Sequence, residues 1–176
     1  MTDAIPAGEA PPAPLQLRPP RHFVSPRAIW YWALRALFGW IVFAALQVGF
    51  LVVNSDDGAL QWHVAALAAT AVVAAIHLVV MPQWRFRVHR WEATPLAVYT
   101  QVGWFSQQRR IAPISRIQTV DTERGPLEQL FGLSNVRVTT ASAAGPLKVH
   151  GLDRQVAQTL VDDLARAIES TRGDAT

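Results

Sequence analysis

Two uncharged stretches limit what this chain can fold into. Residues 36–53 carry no charge, and Gln47 is their only strongly polar side chain. Residues 64–81 are also uncharged, interrupted only by Thr70 and His77. About 20 apolar residues cross the hydrocarbon core of a bilayer at ~1.5 Å of rise each, so both runs predict membrane helices. The helices are expected over 29–53 and 60–81, making a hairpin within 28–82. The rest of the 176 residues divide into a head, 1–27, a C-terminal part, 83–170, and a short disordered tail, 171–176. The C-terminal part is large enough for one small domain. A soluble enzyme of ordinary size does not fit this division.

The chain has no cysteine, which removes disulfides, thiolate nucleophiles, zinc fingers and iron–sulfur ligation. Its net charge is +3, and all but one of its 16 basic residues are arginine. A basic balance suits nucleic acid or anionic lipid. With two spans beside the arginines, lipid is the simpler partner and nucleic acid is not expected.

The head holds seven of the twelve prolines and few large apolar residues. Such a segment buries too little surface to offset its ordering entropy, so 1–27 is expected to be disordered. The first apolar run is not expected to be a cleaved signal peptide: it starts late, it is long, and Asn54-Ser55-Asp56-Asp57-Gly58 offers no small-x-small cleavage site after it. The linker 54–59 is too short for a domain, so both chain ends should lie on one side. Arg18, Arg21, Arg27 and Arg35 flank the first helix, Arg85, Arg87 and Arg90 follow the second, and the turn carries Asp56 and Asp57 with no base. Basic residues stay inside, which predicts two cytoplasmic ends in a bacterial inner membrane. Trp30, Tyr31 and Trp32, with Trp62 and Trp84, suit the two interfaces. Small residues four apart, Ala45/Gly49, Ala65/Ala69 and Ala71/Ala75, suggest close backbone approach, within the hairpin or between copies in a homo-oligomer.

From Trp84 the period changes to two. Trp84, Phe86 and Val88 alternate with Arg85, Arg87 and His89, as in a strand. Leu96, Val98, Thr100 and Val102 alternate with Ala97, Tyr99 and Gln101, and residues 117–123 are a further strand candidate. Val136 and Val138 alternate with Arg137 and Thr139, then Leu147 and Val149 with Lys148 and His150. Short alternating runs between Gly and Pro predict an antiparallel meander. Gly125-Pro126-Leu127 to Gly132 reads as one helical turn, with Pro126 at its first position. After Asp153, a helix cap, Val156, Leu160, Leu164 and Ile168 step by four, an amphipathic helix covering the sheet.

The order of these residues resembles the bacterial pleckstrin-homology-like membrane proteins of the YdbS type. The resemblance rests on Gly103-Trp104-Phe105 and then Arg109-Arg110-Ile111-Ala112-Pro113-Ile114-Ser115-Arg116-Ile117-Gln118-Thr119-Val120. It continues through Gly125-Pro126-Leu127, Leu130-Phe131-Gly132-Leu133 and Val136-Arg137-Val138-Thr139-Thr140-Ala141, and closes with Gly151-Leu152 before the last helix. It covers about residues 29–170. It implies an α+β membrane protein: a two-helix hairpin, then a pleckstrin-homology-like antiparallel barrel with a C-terminal capping helix. It further implies a non-enzymatic module, without cofactor, that binds or scaffolds membrane proteins in an envelope-related complex. Larger multi-domain relatives are the partners it suggests.

The residues themselves offer no chemistry against that expectation. Asp121 and Glu123 share a strand face and read as a solvated edge. No serine has a G-x-S-x-G setting, and no phosphate loop, H-E-x-x-H or dinucleotide fingerprint is present. His63 and His77 lie fourteen residues apart on one helix, a spacing compatible with two haems between helices. The first helix has no histidine, so only a homodimer would complete such sites; the alternative function is a haem- or quinone-linked electron carrier. The simpler reading is two polar residues facing the hairpin interior. Arg85, Arg87, His89 and Arg90, close to the membrane, are the candidate lipid-headgroup contacts, at about 1 kcal/mol per base against an anionic leaflet. The turn 91–95 contains Glu92 and no base, which argues against inositide recognition there.

Overall fold

A computed structural model describes residues 19–54, 60–103, 105–142 and 145–173. Helices α1 (Arg27–Val53) and α2 (Leu60–Val88) form an antiparallel hairpin. Both are apolar around most of their circumference, and Ile41, Val42, Leu46, Val72 and Ile76 point outward. A helix apolar all round requires an apolar medium, here lipid. Asp56 and Asp57 of the turn lie outside the described residues.

The contact seam is narrower than the apolar surface. Between residues 36 and 53 half-buried positions fall at 36, 40, 44, 47 and 51 on α1, and between 60 and 80 at 63, 67, 70, 74, 77 and 78 on α2. Steps mostly of three and four mark one face of each helix as the packing seam. Side-chain hydrogen bonds cross the seam. Trp40 Nε1 donates to His77 Nδ1 at 2.9 Å, and Gln47 Nε2 donates to Thr70 Oγ1 at 3.0 Å. Of the two places expected for the small residues Ala45, Gly49, Ala65, Ala69, Ala71 and Ala75, the hairpin seam is not the one they occupy: they are exposed, and nothing lies within 4 Å of a Cβ built on Gly49. Polar groups in lipid must find partners inside the protein, so the tryptophan–histidine and glutamine–threonine pairs occupy the seam and turn the small residues outward.

Three expected boundaries are corrected, the first being the disordered tail expected over 171–176, into which the last helix continues as far as Gly173. The strand expected from Trp84 is helix: α2 continues to Val88, beyond the end expected at 81. Met81 and Pro82, half-buried Arg85, and then Val88 recur at helical spacing and turn inward together, which outweighs a five-residue alternation. The disorder expected over 1–27 does not extend to its end. His22–Phe23 is a short strand, β1, and Val24, Ser25 and Ala28 are buried. Residues 1–18 lie outside the described residues.

After α2 come β2 (Arg90–Ala93), β3 (Ala97–Val102) and β4 (Gln108–Pro113), then a 3-10 turn (Ile114–Arg116) and β5 (Ile117–Glu123). A short helix, α3 (Pro126–Leu130), precedes β6 (Leu133–Thr140) and β7 (Leu147–Asp153), and α4 (Arg154–Gly173) ends the fold. The strands form two antiparallel sheets, β1-β2-β3-β4 and β5-β6-β7. This is the expected antiparallel architecture with its capping helix, but the sheets do not close into a barrel. The core comprises Val98, Ala112, Ile114, Val136, Val138, Leu147, Val149 and Leu152, with Ala157, Leu160 and Leu164 of α4 packed into it. On the outer face of the second sheet Glu123 pairs with Arg137 at 2.8 Å and Lys148 at 3.0 Å. Hydrogen bonds from Arg137 and Lys148 hold its carboxyl below the usual range.

Candidate functional site at the helix–domain junction

The domain does not hang from the end of α2; it is docked on both helices. Strand β1, just before α1, pairs with β2, just after α2, through His22 opposite Trp91 and Phe23 opposite Arg90. Ser25 N–H donates to the Gly151 carbonyl at 2.8 Å, and Arg27 pairs with Asp153 at 3.1 Å. Gly151 has φ +70°, and a Cβ there would lie 3.1 Å from the Ala28 Cβ. Only glycine suits that backbone and lets α1 approach β7 so closely. Val24, Ala28, Tyr31, Trp32 and Leu133 form a second apolar core, flanked by Phe86, Trp91, Leu127 and Phe131.

Polar groups complete this junction. Tyr31 donates its hydroxyl hydrogen to Glu128 at 2.8 Å and accepts from Arg35 at 3.4 Å. Partial burial would raise the Glu128 carboxyl, but hydrogen bonds from Tyr31, nearby backbone amides and the Asn135 side chain outweigh it and hold the group below its usual range. Arg85 places its guanidinium 4.6 Å from the Trp32 ring centroid, a cation–π contact. His89 is buried, 5.1 Å from Trp32 between ring centroids, with Nδ1 2.8 Å from the Arg85 carbonyl oxygen. Burial, with the charges of Arg85 and His150 adding to it, lowers its pKa to about 4. Burial, then Lys148 and Arg85, lowers that of His150 too.

The four predicted headgroup contacts are therefore not one cluster. Arg85 and Arg87 stand two residues apart on a helix, not on a pleat, and so face different ways. Arg87 is exposed, His89 is internal, and Arg90 lies 4.2 Å from the Phe23 ring with its Nε 3.5 Å from the Arg87 carbonyl. The structure instead sets Arg85 beside Trp32 and Arg35 beside Tyr31, residues read from sequence as interface anchors and topology signals. Their tyrosine-to-arginine spacing of four, 31 to 35, and the tryptophan between them were the available signal.

With this architecture in place, comparison with known proteins is informative. The family model described as "Bacterial PH domain" matches residues 34–168, most of the chain. The chain belongs to the bacterial pleckstrin-homology domain family. It is also 27% identical over 156 residues to the "UPF0699 transmembrane protein YdbS" of Bacillus subtilis (strain 168), covering 88% of this chain and 97% of that protein. No solved structure matches it. Family membership and the two apolar helices together make this a YdbS-like membrane protein with a pleckstrin-homology-like domain.

Proposed function

We propose that this chain is a non-enzymatic scaffold: the hairpin anchors it in the bacterial inner membrane, and its domain binds another membrane protein at the cytoplasmic face. The observation that carries this reading is the junction, where α1 begins inside the domain core and the domain is thereby held at one height and orientation. A fixed orientation is of use to a docking surface and of none to a freely tethered domain. A groove of about 370 Å³ between β2 and α4, lined by His22, Trp91, Ala93, Val156, Thr159 and Asp163 among others, offers such a surface. A larger multi-domain relative in an envelope-related complex is the first partner to look for. The electron-carrier alternative draws no support from the hairpin: His77 turns Nδ1 to Trp40, and His63 packs against Phe50.

The test is photo-crosslinking in native membranes from a reactive residue placed at Val156 or Thr159 of the full chain, with Ala165 as the control position. One membrane protein captured from 156 and 159 and not from 165 is the expected result. No specific adduct from either groove position would reject the groove as the docking surface.

A further inference from the structure

Arg85 is a cation at the hairpin base without an anion. It is half-buried, and its Nε is shut off from solvent with no hydrogen-bond acceptor. Among the described residues no carboxylate forms an ion pair with Arg85 or with Arg35. Arg35 has one hydroxyl contact, to Tyr31 at 3.4 Å, and the nearby acid Glu128 is already engaged by that tyrosine. Arg35 stands three residues after Trp32 on α1, on the side of the helix where Arg85 lies over the Trp32 ring, so two like charges share this corner. A partly desolvated guanidinium with an orphan donor is costly unless an anion completes it. Two guanidiniums facing one corner suit the several oxygens of a phosphate.

Depth indicates where that phosphate comes from. The pairs Trp40–His77 and Gln47–Thr70 set Arg85 level with Trp32, so at ~1.5 Å per residue along α1 from Val53 Arg35 lies at ~27 Å and Arg85 at ~32 Å. The hydrocarbon core is ~30 Å thick, so the pair brackets its edge, the level of the phospholipid phosphates. Trp32, a residue type typical of this interface, forms the wall against which Arg85 stacks. The turn 94–96 between β2 and β3, Thr94-Pro95-Leu96, offers no base.

We propose that Arg85 and Arg35, with Trp32 as platform, bind the phosphate of an anionic phospholipid in the leaflet on the domain side. This site is independent of the scaffolding reading and of which compartment the domain faces. It seats the lipid where the two helices and the domain meet, so the lipid braces the junction.

The experiment uses the full chain, delipidated in mild detergent. Its melting temperature is measured with added phosphatidylglycerol, with phosphatidylcholine or with inorganic phosphate. Phosphatidylglycerol is expected to raise it well above the other two. Arg35→Gln and Arg85→Gln should each lose at least half of that shift, whereas exposed Arg87→Gln keeps it. Because the Arg35 side chain is exposed, Arg35→Gln decides the matter alone if Arg85→Gln does not fold. An equal shift from phosphatidylcholine, or an undiminished one in both site variants, would overturn the site. An equal shift from inorganic phosphate would overturn the lipid and leave a free-phosphate site.

Discussion

His89 shows how one side chain acquires a property from its surroundings. In sequence it is one base among four beside a membrane. In the fold it is buried against Trp32 with Arg85 and His150 nearby, and its pKa falls from 6.5 to about 4. Between those values the unfolded chain binds more protons than the folded one, so stability rises with pH there. The contribution is fully present above pH ~6.5 and is lost as pH falls toward ~4, amounting to about 3 kcal/mol at most. His150 has the same sign. Melting of the purified full chain between pH 7.5 and 5, above the range where ordinary carboxylates titrate, should show falling stability. His89→Gln should flatten that slope. An unchanged slope in the variant would mean that the histidine is hydrated in the folded protein.

At the scale of elements, the domain is held by strand-to-helix packing. Val136 and Val138 of β6 share one core with Leu160 and Leu164 of α4, while Arg137 points to the opposite face toward Glu123. The alternation of β6 and the four-residue steps of α4 are both visible in the chain, so this packing was legible before the fold was known. Leu160 is 3% exposed, and Leu160→Ala is expected to cost ~2–5 kcal/mol by chemical denaturation, the cost of lost burial plus a cavity. Arg137→Ala, on a solvated ion pair, should change little. Comparable losses from both would show that the sheet face has been assigned wrongly. The hairpin was less legible. Small residues at four-residue spacing looked like a contact face, but the polar pairs Trp40–His77 and Gln47–Thr70 took the seam, because an unpaired polar group in lipid costs more than a missed close approach.

For the whole molecule, β1 and β2 pair across the mouth of the hairpin, so the start of α1 and the end of α2 lie on one side. The arginines at both ends of the hairpin predict that this side is the cytoplasm. Reporter fusions after Asp57 and after Thr176 should therefore report opposite compartments, with the C-terminal reporter inside. The same compartment for both would reject two crossings, and a C-terminal reporter outside would reverse the orientation.

Two membrane helices, an antiparallel domain and a closing amphipathic helix followed from the sequence alone, because each rests on a periodicity carried by consecutive residues. The residue order from 103 to 152 likewise resembled one family, and the family was confirmed. Residues far apart in the chain decided the rest. That α2 runs through Arg85 depends on Met81, Pro82 and Val88 turning inward, and that the head yields a strand depends on an open edge at Trp91. Arg85 meets Trp32 only because the hairpin folds back over more than fifty residues. Local pattern sets what a segment can become; which segments bury one another, and which cation is left without its anion, is settled only when the tertiary contacts form.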